Sequence, residues 1–252
     1  MLQVFLGPTG IGKTARATSL ARSTGAPVVV LDRIQCHPEI ATASGRPLAA
    51  EVCGTTRIYL DERSVGAGEL SAEEGLRRFM DTVGGLELGA RDLVIVEGGS
   101  VSLCRLWHGS GLFPFERQEL QVLGIDDPHR HRGQVLRRVR AMVSPGHNGE
   151  SIIDEFSRVW RHHAGQRDFI ASVCGFDAIV EWCQQAEIPP GDVCSSALSP
   201  DQQNQLVIDI TNAHCSYARA QSDFFTGMRQ EIRPRGRRMP AQRASATSEV
   251  NV

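Results

Sequence analysis

A chain of 252 residues with 41% hydrophobic content can bury one sizeable core and a smaller lobe, so one catalytic domain with an appendage is the expected organisation. A formal net charge of -2 and a pI near 6.4 argue against an overall electrostatic pull toward nucleic acid. No apolar run reaches the roughly 18 residues that a membrane span requires. The seven cysteines (Cys36, Cys53, Cys104, Cys174, Cys183, Cys194 and Cys215) lack the paired spacing of a metal site. The N-terminus enters a strand directly rather than through a charged and then apolar leader, and a reduced, cytoplasmic protein is expected.

In chain order, Leu2 to Leu6 reads as a buried strand and Thr14 to Arg22 as a helix. Between them lies Gly7-Pro8-Thr9-Gly10-Ile11-Gly12-Lys13-Thr14, a full match to the phosphate-binding loop G-x-x-x-x-G-K-[ST] in its expected strand-to-helix setting. Backbone N–H groups of such a turn converge on one spot, Lys13 adds an ammonium, and the Thr14 hydroxyl is placed to ligate Mg²⁺. Lys13 is the only lysine of the chain, the other twenty-six basic residues being Arg. A compact ammonium enters a phosphate cradle where a planar guanidinium does not fit.

Further strands are expected at Val28 to Leu31, Leu93 to Val96 and Leu120 to Ile125, with helices between them such as Ser71 to Val83. This alternation predicts an α/β fold, a P-loop-type parallel sheet with flanking helices. From about Asp127 the pattern turns helical: His129 to Val143, Ser151 to Trp160, Gln166 to Gln185 and Pro200 to Met228. Ser151/Asp154 and Ser199/Gln202 have capping-box spacing, and Pro200 suits a first helical position. The expected organisation is therefore an α/β domain over 1–127, a helical substrate-binding lobe over 128–232 and a disordered tail over 233–252.

Ligand sites of open parallel sheets lie beyond the carboxyl ends of the strands. Three clusters fall there: Leu31-Asp32-Arg33-Ile34-Gln35-Cys36, then Ser44-Gly45-Arg46-Pro47, then Glu97-Gly98-Gly99-Ser100. Asp32 at such a position can act behind a Mg²⁺ ion, as a general base, or as a helix N-cap.

These segments together resemble the bacterial adenylate isopentenyltransferases of cytokinin biosynthesis. The P-loop, Leu-Asp-Arg-Ile-Gln-Cys, Ser-Gly-Arg-Pro, Gly-Thr-Thr-Arg-Ile-Tyr-Leu-Asp (54–61) and Val-Glu-Gly-Gly-Ser (96–100) match in order and spacing over roughly the first 105 residues. The resemblance implies attack of the exocyclic N6 amine of AMP on C1 of dimethylallyl diphosphate, with pyrophosphate displaced. The P-loop, Gly10, Gly12, Lys13 and Thr14, would then hold the leaving diphosphate with Mg²⁺. Asp32 would serve as general base, Thr9 would orient the amine, and Ser44 would contact AMP. Arg138 corresponds to an arginine that reaches the diphosphate from the helical lobe. Its bland alternative is a solvated basic face, and Arg137 is its nearest competitor.

Two departures stand out. The family has Tyr and then His three residues later on the last helix, whereas this chain has His214 and then Tyr217. Both can donate to a diphosphate oxygen, yet Leu206, Ile210, Ala213, Tyr217, Ala220 and Phe224 also form a 3/4-spaced stripe that would make Tyr217 ordinary core. Cys174 stands where the family has an AMP-contacting Asp, which implies altered nucleotide affinity and a weaker preference for a hydroxylated prenyl donor. Rival readings are a tRNA isopentenyltransferase, a small-molecule P-loop kinase and a nucleotide switch. The last lacks a second lysine for an Asn/Thr-Lys-x-Asp motif. The expected partners are small molecules, with neither nucleic acid nor membrane, and no motif states the oligomeric state or whether AMP, ADP or ATP is the acceptor.

Overall fold

The computed structural model of the protein describes residues 1–86, 92–110, 118–144 and 149–232. The segment 233–252, expected as a tail, lies outside them. Five parallel strands, β1 (Leu2–Leu6), β2 (Val28–Leu31), β3 (Arg57–Tyr59), β4 (Val94–Gly98) and β5 (Gln118–Val122), form a sheet in the order β3-β2-β4-β1-β5. The helices of the first half are α1 (Lys13–Thr24), α2 (Ala41–Ser44), α3 (Ala72–Gly85) and α4 (Val101–Ser110). Those of the second are α5 (Pro128–Val143), α6 (Ile152–His162), α7 (Arg167–Ser172), α8 (Phe176–Gln185) and α9 (Pro200–Ile232). Among the described residues no helix is long and apolar enough to cross a membrane.

The expected strands and the parallel sheet are present, with two differences. β3, a three-residue, half-buried edge strand, carries no apolar run of its own and exists because β2 pairs with it. β5 lies at 118–122 where the apolar pattern points to 120–125. Its bounds follow its pairing with β1, Leu2 opposite Gln118 through Leu6 opposite Val122.

One sheet face packs Val4, Val29 and Val96 against Phe79, Leu103 and Trp107, and Phe225 and Met228 near the end of α9 join the same cluster. The other face packs Phe5, Val28 and Ile95 against Ala17 and Ala21 of α1. A separate helical core gathers Val139, Met142, Ile152, Phe156, Phe176, Ile179, Leu206 and Ile210, and it takes in Ile40, Ala43 and Val65 from the first half of the chain. Ile40, Ala43 and Val65 are thus anchored in the helical core, whereas β3 and Leu60 between them stay with the sheet.

The helix expected over 166–185 is instead two helices, α7 and α8, parted at Val173-Cys174-Gly175. Gly175 has φ 97°, a conformation that no continuing helix accepts and that L residues rarely adopt. Of the two expected capping boxes, one closes reciprocally and the other forms only its serine cap. Ser199 and Gln202 exchange reciprocal hydrogen bonds at the start of α9. Ser151 Oγ accepts from the Asp154 amide, while the Asp154 carboxylate reaches across to the Ser195 amide and hydroxyl.

Candidate active site

The site begins at the turn from β1 to α1. Gly10 and Gly12 have φ of 75° and 89°, so α1 opens without a side-chain cap and its first N–H groups stay free for an anion. Lys13 Nζ donates to Pro8 O at 2.7 Å, inside its own loop. Burial lowers the Lys13 pKa to about 8, against the pull of Glu97 and Asp32. Thr14 Oγ1 donates to Glu97 Oε1 at 3.2 Å, and Glu97 is held in a buried ion pair with Arg57 of β3.

Asp32 follows β2 directly. Its Oδ1 accepts from Ile34 N at 2.9 Å and Gln35 N at 3.3 Å, so the capping role is real. Among the described residues its Oδ2 has only a long contact, 3.5 Å, to Gln35 Nε2. Burial raises the Asp32 pKa above the ordinary carboxylate value, which the two backbone bonds and Lys13 oppose. One oxygen thus orients the group while the other remains able to accept a proton, and the raised pKa makes it a better base.

The helical lobe supplies the facing wall. Arg138 of α5 lies over Gly45, where any Cβ would overlap its guanidinium. No ion pair to Arg138 occurs among the described residues, and burial lowers its pKa. Its neighbour Arg137 is exposed and outside the cleft. His214 is buried, its Nδ1 lies 3.5 Å from Cys174 Sγ, and its Nε2 has no partner. Burial, helped by Arg138, pushes its pKa down to about 3, so it is neutral and offers a single N–H. The Cys174 thiol is pushed up to about 12 by burial and stays protonated.

Tyr217 is 44% exposed and faces the cleft. The stripe that would make it core is therefore displaced: the buried positions after His214 are Cys215, Ala218, Gln221, Phe225 and Met228. That shift lets α9 present Tyr217 to the site while still covering the sheet.

A single cavity of about 1440 Å³ is lined by all eleven residues expected of the site: Thr9, Gly10, Gly12, Lys13, Thr14, Asp32, Ser44, Arg138, Cys174, His214 and Tyr217. Its volume exceeds the roughly 300–1,000 Å³ of an ordinary small-molecule pocket and suits two ligands side by side. Gln221 is among the lining residues not expected of the site. It is buried, accepts from Thr9 N at 2.7 Å through Oε1 and donates to Gly99 O at 2.7 Å through Nε2. It ties α9 to the P-loop and to the end of β4. Its position one turn beyond Tyr217 on the same helix was the available signal. His131 Nε2 lies 3.0 Å from Thr9 O and steadies the same loop.

Among the described residues no group of three His, Cys, Asp or Glu is arranged to hold a metal ion. What the cleft offers a cation is hard oxygen, the Thr14 hydroxyl beside the Glu97 carboxylate.

The family model for isopentenyl transferase matches residues 1–235. This chain belongs to the isopentenyl transferase family. It is 34% identical over 233 residues to an adenylate dimethylallyltransferase of Ralstonia solanacearum, covering 90% of this chain and 94% of that one. An enzyme of the same description from Rhodococcoides fascians is 31% identical over 222 residues, covering 88% and 86%. Among solved structures, a tRNA isopentenylpyrophosphate transferase from Bacillus halodurans superposes with a TM-score of 0.66 at 14% identity, covering 89% of this chain and 86% of that chain. A eukaryotic dimethylallyltransferase acting on tRNA gives 0.62 at 12% identity, covering 87% and 68%. At such identities the structural likeness is one of fold, and it matches the P-loop sheet and helical region of this isopentenyl transferase.

Proposed function

We propose that the enzyme transfers the dimethylallyl group of dimethylallyl diphosphate to N6 of AMP and releases pyrophosphate, a cytoplasmic step of cytokinin biosynthesis. The observation that carries this reading is the single large cavity in which the P-loop cation Lys13 and the half-free carboxylate of Asp32 face Arg138 and Ser44. A diphosphate in the cradle would place its allylic carbon toward Asp32. As the C1–O bond breaks, its electron pair leaves with the pyrophosphate, and the free N–H groups of α1, Lys13 and Arg138 stabilise the charge that develops there. The N6 lone pair forms the new C–N bond. Because that lone pair is delocalised into the adenine ring, removal of the N6 proton by Asp32 Oδ2 assists the attack.

The hard oxygens at Thr14 fit Mg²⁺, an ion that takes few protein ligands and completes its shell with phosphate oxygens and water. When bound, Mg²⁺ would neutralise part of the diphosphate charge. His214, neutral, and Tyr217 would donate to diphosphate oxygens, and Thr9 would orient the amine from a backbone fixed by Gln221. Small molecules are the proposed substrates. The tRNA reading is favoured by fold likeness alone, and the net charge of -2 counts against a polyanionic acceptor.

The test is incubation with Mg²⁺, dimethylallyl diphosphate and AMP, ADP, ATP or unmodified tRNA in turn, with products weighed by mass spectrometry. Prenylated AMP with stoichiometric pyrophosphate is expected. Prenylated tRNA without prenylated AMP, or phosphoryl transfer from ATP, would replace this reading with one of its rivals.

A further inference from the structure

Outside the cleft, one buried ionisable group has partners that lead back to it. Glu155 of α6 is 3% exposed, and its two oxygens accept from two consecutive amides, Oε2 from Thr42 N and Oε1 from Ala43 N, both at 2.8 Å. These amides belong to the first turn of the four-residue α2, whose N–H groups have no partner within so short a helix. The same face of the lobe grips the preceding residues: Arg158 Nη2 donates to Glu39 O at 2.8 Å, and His163 Nε2 lies 2.6 Å from Glu39 Oε2. Ile40 and Ala43 are embedded in the helical core beside them.

What α2 carries is the acceptor wall of the cleft. Ser44 is its last residue and lines the cavity, and among the described residues its hydroxyl bonds only to Ala41 O, inside its own turn. The place of Ser44 is therefore the place of α2. Arg138, by contrast, belongs to the sixteen-residue α5, which is held by Val135, Val139 and Met142 in the helical core, and it meets the end of α2 only where its guanidinium lies over Gly45.

We propose that Glu155 is a positioning residue for the nucleotide acceptor: its forked carboxylate fixes α2 from behind, and thereby the Ser44 wall against which AMP is held. This rests on the proposed AMP acceptor. Burial pushes the Glu155 pKa up to about 7 even though both backbone bonds oppose the shift, so the chain keeps a costly group at this point. An amide in its place would accept from one N–H and set its own NH₂ against the other.

The test is Glu155→Gln in the full chain, with KM for AMP, kcat, melting temperature and the Kd of an unreactive allylic thiodiphosphate. The KM for AMP should rise about tenfold or more, as the loss of one hydrogen bond to a charged group implies. The donor Kd should change less than the KM for AMP, since the P-loop that holds the diphosphate shares no partner with Glu155 and only Arg138 touches the end of α2. Glu155→Asp, which keeps the charge on a shorter stem, should fall between. In the double variant with Ser44→Ala, the two AMP effects should combine to less than their product. Equal weakening of donor and acceptor, a lower melting temperature with unchanged KM for AMP, or failure of both Glu155 variants to fold would assign Glu155 to the fold alone and overturn the proposal. Wild-type protein that does not prenylate AMP would instead sink the reaction assigned above.

Discussion

The two walls of the cleft are made in different ways. The β1 wall is backbone: a turn whose glycines free a set of N–H groups, with Lys13 and Thr14 opening α1 and Asp32 directly following β2. The opposite wall is side chain, with Arg138, Cys174, His214 and Tyr217 drawn from α5, the α7–α8 break and α9. A wall of peptide groups cannot be varied by substitution without breaking the turn, whereas the side-chain wall can change identity while keeping its place. The second wall also carries the two positions at which the sequence resemblance breaks, Cys174 and the pair His214 and Tyr217.

That contrast predicts a hierarchy of effects. Asp32→Asn retains an oxygen for Ile34 N and Gln35 N, so it should fold and bind the thiodiphosphate, yet lose turnover by about 10²- to 10⁴-fold in steady-state assays. Turnover within a factor of a few would remove Asp32 from proton transfer and make capping its whole role. On the other wall, Arg138→Ala should weaken the thiodiphosphate by about 10- to 100-fold, the loss of a charge-assisted contact. Arg137→Ala serves as the matched control and should have almost no effect, and comparable losses would mean that the cleft does not distinguish the two arginines.

A subtler comparison uses pH. Lys13 loses its proton near pH 8 in the free enzyme instead of near 10.5, and only the ammonium attracts diphosphate. Donor kcat/KM should therefore fall about tenfold per unit above pH 8, on top of the acid limb that protonation of the Asp32 base imposes at lower pH. In Lys13→Arg, whatever activity survives should lack that limb, because guanidinium does not titrate in this range. A limb that persists would belong to another group.

Legibility followed the same division. The P-loop and Asp32 could be read because a local motif and a strand end fix both residue type and position, Ser44 came from the resemblance, and the parallel sheet followed from the α/β alternation. Arg138 could be placed because the resemblance singled it out from a run of three arginines. The register of α9 could not be read: Leu206, Ile210 and Ala213 suggested one stripe, but the helix crosses from the helical core to the sheet core, and its buried face rotates as it does so. Gln221 and Glu155 escaped notice for a related reason. Each acts on backbone N–H groups more than 100 residues away, and backbone leaves no mark in side-chain patterns.

The solitary ε-amine has a practical side. With a proton held near pH 8 and a hydrogen bond only to its own loop, Lys13 is a nucleophile that an acylating reagent can find once it is deprotonated, and apart from the terminal amine at Met1 no other amine competes in the sequence. Graded labelling of that one site reports directly on how full the cradle is. A ligand that occupies it would slow the modification in proportion to its occupancy, which turns an unusual composition into a built-in gauge of binding.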